Sequence, residues 1–159
     1  MNYFELFEIP VSLIIDKAAI TKKYVELQKK YHPDFFTQEN EYAQEEALEK
    51  SSAINKALKV FKTQDATIKY LLELKGRIEA EEKYPLPPDF LMEVMELNES
   101  LSENSIAVIE DFEKDIYSEA SQLIENYNNE TVTNEELLKL KEYYYKKKYL
   151  QRILDRMDG

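Results

Sequence analysis

The sequence predicts an all-α protein: a helical hairpin flanked by short helices, joined by a linker to a C-terminal three-helix bundle. Three observations carry that prediction. The 159 residues include only two glycines, Gly76 and Gly159, a poor supply for the positive-φ turns that hairpins, barrels and phosphate-cradling loops need. Apolar residues recur at helical spacing along most of the chain. Three of the five prolines fall together in Tyr84-Pro85-Leu86-Pro87-Pro88, just after a charged stretch and close to a change in charge balance.

Taken in order, residues 3–8 form a short apolar turn ending at Pro10. Asp16 caps a helix over 17–31, whose Ile20, Tyr24, Leu27 and Tyr31 fall on one stripe. That helix stops at His32-Pro33-Asp34, because proline disfavours helix in the residue before it. Ala47, Ser51, Ile54, Leu58 and Phe61 mark a second long helix, and Ile68, Leu71 and Leu72 mark a short one. Residues 1–75 read as one domain and 76–88 as a linker. In 89–159, Phe90, Val94, Leu97 and Leu101 form one stripe, and Ile109, Phe112, Ile116, Leu123 and Tyr127 a second. The capping box Thr133-Asn134-Glu135-Glu136 opens a third helix running through Leu137, Leu140, Tyr144, Leu150, Leu154 and Met157.

Composition narrows the function. With no cysteine, the chain forms no disulfide, no thiolate metal site and no cysteine nucleophile, which is compatible with a reducing, cytoplasmic setting. Apolar runs are short and the start carries Glu5, Glu8 and Asp16, so neither a signal peptide nor a membrane span is expected. Of the net charge of −11, residues 76–159 hold −10, which repels phosphate backbones. A protein partner is favoured over nucleic acid or membrane.

Two constellations stand out. The single histidine lies in His32-Pro33-Asp34, after a helix whose Lys22 and Lys29, and Lys23 and Lys30, recur at heptad spacing. Taken alone, His32 reads as an ordinary loop residue and the lysines as a solvated face. In the second half, Leu91, Met92 and Met95 are apolar but off the Phe90 stripe, beside Glu96, Glu99 and Glu103 at i, i+3, i+7. Those residues read either as one wide buried face with solvated glutamates or as an apolar interface with an acidic ridge.

The combination Leu-Gln-Lys-Lys-Tyr-His-Pro-Asp at 27–34, on helices of these lengths, resembles the J-domain of DnaJ-type co-chaperones. Tyr3-Phe4-x-Leu6-Phe7-x-Ile9-Pro10, Ser52-x-Ile54-Asn55-x-Ala57, Tyr70-Leu71-Leu72-x-Leu74-x-Gly76 and Phe90-Leu91-Met92-Glu93-x-x-Glu96-Leu97 extend the likeness. Together they look like the HscB family, co-chaperones of bacterial iron-sulfur cluster assembly. The resemblance implies that His32, Pro33 and Asp34, with Lys22, Lys23, Lys29 and Lys30, dock on a DnaK-type ATPase such as HscA and stimulate it. It implies that Leu91, Met95, Glu96, Glu99 and Glu103 bind the scaffold protein IscU, helped by an aromatic on the last helix, Tyr143 or Tyr144. Phe35 stands where the family usually has a basic residue, Gln64 where it has proline, and Thr67-Ile68 where it has Arg-Ala. The cysteine-rich N-terminal extension of some eukaryotic relatives has no counterpart, so no metal or other cofactor is implied. An adaptor, not an enzyme, is expected, since a histidine on a loop beside lysines has no visible nucleophile, metal or pocket. The competing readings are a J-protein for another client and a helical scaffolding protein with an incidental His-Pro-Asp.

Overall fold

A computed structural model of the protein describes residues 1–99 and 105–158. The described residues are helical or in turns, without strands, and contacts divide the chain between Tyr70 and Leu71. Leu101 and Glu103 lie outside the described residues.

The first unit is built by local signals. Asn2 caps α1 (Tyr3–Leu6), accepting the Glu5 N–H at 2.9 Å. Asp16 caps α2 (Lys17–Tyr31) by accepting from the N–H groups of Ala18 and Ala19. A 3₁₀ turn over Pro33–Phe36 leads to α3 (Glu41–Phe61), capped by Asn40. The α2–α3 hairpin closes over Phe4, Phe7, Ile20, Leu27, Ile54, Ala57 and Phe61, with Phe61 touching the rings of both Phe4 and Phe7. Tyr3 stacks on Tyr70 at 4.6 Å and donates its N–H to the Tyr70 hydroxyl at 2.8 Å.

The departures at 64 and 67 have local causes. Gln64 opens α4 (Gln64–Leu74), and the Thr63 hydroxyl caps it by accepting from Ala66 N–H, so proline is not needed there. Thr67 is fully buried, its hydroxyl placed 2.9 Å from the carbonyls of both Val60 and Thr63, and Ile68 beside it is fully buried in the core. Helix α4 ends in a Schellman arrangement: Gly76 N–H donates to Glu73 O at 3.0 Å and Arg77 N–H to Leu72 O at 2.8 Å. Gly76 has φ +67°, and a Cβ there would meet nothing within 4 Å. Gly76→Ala therefore tests backbone strain alone, and an urea melt is expected to show a loss of about 1–2 kcal/mol.

In the second unit, the stretch expected as a linker is tied to the last helix. Arg77 donates to the Asn134 side chain, and Glu82 accepts from Lys141 Nζ at 2.7 Å and from the Tyr145 hydroxyl at 2.8 Å. Tyr84 stacks on Tyr145 at 4.6 Å. Hydrogen bonds from Lys141 and then Tyr145 hold the Glu82 carboxyl below the usual carboxylate range, so this tie is intact at neutral pH. The stretch is thus a strap on the last helix. Its prolines suggest a free linker because the partners that fix it lie some 60 residues away.

Helix α5 (Pro88–Glu99) starts with proline at its first position, inside the expected linker. Helix α6 (Ser105–Glu125) packs against α5 and α7 (Asn134–Asp158). The capping box forms as expected: Thr133 Oγ1 accepts from Glu136 N–H, and the Glu136 carboxylate accepts from Thr133 N–H. Ile109, Ile116, Ala120 and Ile124 are the buried face of α6, so Ile124 replaces Leu123 in the core, and Tyr127 lies beyond the helix end. With two apolar residues side by side, either one satisfies a helical period.

Candidate functional site

The His-Pro-Asp loop is held open by its own geometry. Pro33 forces His32 into an extended conformation, φ −60° and ψ 132°, and this ends α2. The His32 Nδ1 accepts from Asp34 N–H at 3.2 Å and so caps the following 3₁₀ turn, while Phe35 N–H donates to His32 O at 3.0 Å. Nε2, on the far side of the ring, takes no part in this bond. His32 and Asp34 are exposed, with the Asp34 carboxylate 3.6 Å from Nδ1.

A polar clamp roots the loop. Asn55 Oδ1 on α3 accepts from the Tyr24 hydroxyl and Gln28 Nε2 on α2, both at 3.0 Å, and Ser51 donates to Gln28 Oε1 at 3.2 Å. These bonds fix α2 against α3 directly beneath His32, so the loop is presented from a stiff base. Residue spacing alone does not reveal this clamp, although Asn55 belongs to one of the motifs above.

The lysine face divides. Lys22, Lys29 and Lys30 are exposed, with Lys30 5.2 Å from the Tyr31 ring centre. Lys23 is partly covered and pairs with Glu8 at 3.2 Å, so it offers a partner less charge than its spacing suggests.

On α5, Phe90 and Val94 face inward. Met92 and Met95 are 62% and 59% exposed, Leu91 is half-buried, and Glu93 and Glu96 are exposed. Leu91 and Met95 thus belong to an open apolar edge and not to the sealed core. Glu99 ends the described helix, and Glu103 is outside the described residues.

Neither expected aromatic stands on this edge. Tyr143 and Tyr144 are buried, Tyr143 edge-on to Tyr117 and Tyr144 edge-on to Tyr145. Consecutive residues turn about 100° around a helix, and positions 143 and 144 fall on the inner side with Leu137 and Leu140. The α7 aromatic next to α5 is Tyr149, half-buried and edge-on to Phe90 at 6.1 Å. It stands one position off the stripe through Leu150, the kind of apolar excess that marked Leu91, and that signal was available in the sequence.

The chain resembles known proteins over both halves. Residues 86–158 match the family described as the HSCB C-terminal oligomerisation domain. A co-chaperone protein HscB homolog of Psychromonas ingrahamii is 40% identical over 103 residues, 64% of this chain and 61% of that relative. The matched stretch therefore spans about three fifths of that relative's length. The homolog of Acinetobacter baumannii is 32% identical over 161 residues, covering 99% of this chain and 89% of its own. Among solved structures, human co-chaperone protein HscB superposes with a TM-score of 0.80 at 27% identity, covering 99% of this chain and 81% of the human one. Chaperone HscB from Vibrio cholerae gives 0.61 at 28% identity, with 99% of each chain covered. These relatives are named as co-chaperones and not as enzymes.

Proposed function

The chain belongs to the HscB co-chaperone family, and from that premise we propose that it serves iron-sulfur cluster assembly as an adaptor between two proteins. The first unit docks on an HscA/DnaK-type ATPase chaperone through His32, Pro33 and Asp34 and the lysine face, and stimulates ATP hydrolysis. The second unit brings the scaffold IscU through Leu91 and Met95, with Glu96, Glu99 and Glu103 as an acidic rim. Met92 widens the apolar edge, and Tyr149, in place of the buried Tyr143 or Tyr144, is the aromatic of the last helix that joins it. The observation that carries the reading is the exposed, self-capped His-Pro-Asp turn rooted on the Asn55 clamp. A loop so constrained loses little freedom on docking.

The deciding experiment is ATP turnover by an HscA-type chaperone with this protein added, with and without IscU. Turnover is expected to rise with the protein alone and further with IscU. No rise in either arm overturns the proposal.

Charge should govern the encounter. Lys22→Glu with Lys29→Glu is expected to slow association with the ATPase, on the order of tenfold at low ionic strength, and to flatten its salt dependence. IscU binding should be unchanged. Stopped-flow association across a salt series checks this, and an unaltered salt slope would assign the steering to another surface.

A further inference from the structure

The docking function proposed above is the footing for an inference about Phe35. Phe4, Phe7 and Phe61 are at most 2% exposed, whereas Phe35 is 64% exposed. It does not hang from a loose loop. Its N–H is bonded to His32 O, its ring meets the His32 ring edge-on at 6.2 Å, and Phe36 beside it is half-buried. Val25 on α2, 45% exposed, lines with Phe35, Lys29, His32 and Asn55 an open depression of about 390 Å³. The aromatic is therefore held in place on a fixed frame, facing water, with Lys22, Lys29 and Lys30 exposed on the α2 side and the carboxylates of Glu26 and Asp34 exposed beside Val25 and Phe35 themselves.

An exposed phenylalanine forgoes the transfer free energy of burial, and next to a second exposed apolar side chain it begins a sticky patch. The patch is continuous with the His-Pro-Asp turn, so whatever covers that turn covers the patch. On its α2 side, Lys22, Lys29 and Lys30 favour a covering surface that bears carboxylates there. Phe35 has no charge to pair with such a surface, so its own contribution comes from apolar contact.

We propose that Phe35 and Val25 form an apolar lip that selects the ATPase chaperone by seating in an apolar socket beside the acidic surface that receives His32 and the lysines. Contact at this point then comes from desolvation, which salt does not screen, while the lysines supply the screened part.

The test measures the concentration of protein giving half-maximal stimulation of the HscA-type ATPase, for the wild type, Phe35→Ala, Phe35→Leu, Phe35→Lys and His32→Gln. For Phe35→Ala and Phe35→Lys it is expected to rise at least tenfold, equivalent to about 1.4 kcal/mol. Phe35→Leu should stay within about threefold, since an apolar side chain of similar reach still fills a socket. The salt slope of Phe35→Ala should parallel the wild type. If Phe35→Ala stays within twofold of wild type while His32→Gln is inactive, the lip is overturned and the docking function stands. Phe35→Lys matching or exceeding wild type also overturns it, as does Phe35→Leu behaving like Phe35→Ala. A wild type that gives no stimulation removes the docking function and the lip with it.

Discussion

His32→Gln is expected to abolish stimulation of the ATPase chaperone while leaving the melting temperature within a degree or two of wild type. The side chain is 47% exposed and contributes nothing to the buried cluster, so folding loses the bond to Asp34 N–H and an exposed edge contact with the Phe35 ring. Exposed changes of this kind usually stay within roughly 0.5 kcal/mol. Glutamine keeps a donor at about the reach of Nε2 but has no acceptor where Nδ1 stands, so the turn loses its cap and the donor its aim. His32→Asn is the complement, since its carbonyl can replace Nδ1 while nothing reaches as far as Nε2. Both variants are expected to be inactive if the proposed docking uses a distal donor held by a proximal acceptor. Retained stimulation in a folded His32→Gln protein would exclude the mechanism.

The second large effect is expected on α5. Leu91→Ala with Met95→Ala should weaken IscU binding by about 2 kcal/mol or more, a hot-spot loss. Stability should fall much less. Met95 is 59% exposed, so its truncation opens no cavity, and half-buried Leu91 gives up only part of its transfer free energy. Leu140→Ala is the contrast, because Leu140 is fully buried and should cost about 2–5 kcal/mol of folding stability. Thermal melts and IscU titrations on the same samples separate the two behaviours. A double mutant that melts like Leu140→Ala would show that the α5 edge is core, and would withdraw Glu96, Glu99 and Glu103 as its rim.

The parts of the fold that could be read from the sequence are those written in a few adjacent residues. Asp16 before 17–31, Pro33 after His32 and the Thr133–Glu136 box each act through backbone groups within four positions, so spacing alone reveals them. The misreadings sit where a partner far along the chain decides. Leu123 and Ile124 are equivalent to periodicity until α7 settles which one is covered, and a run of three tyrosines spans too much of a helix for spacing to say which ring faces in. The chemistry of the candidate site was legible as residue types, namely one histidine, a proline and a row of lysines. Its mechanical part was not: Nδ1 as a cap, Asn55 as the joint between two helices and Lys23 paired with Glu8 all depend on how separate segments meet in space.

The strap from Arg77 to Tyr84 determines where the chain can be divided. A fragment cut at Leu86, where composition suggests dispensable sequence, would strip Lys141 and Tyr145 of their carboxylate and Tyr145 of its stacking ring, exposing one flank of α7. A fragment from Leu71 keeps the Schellman end of α4, the Arg77–Asn134 bond and the Glu82 tie within one piece. For the same reason a protease that favours proline-rich, charged stretches meets a segment held down by its side chains instead of a loose tether, and its first cut would report the strap's release.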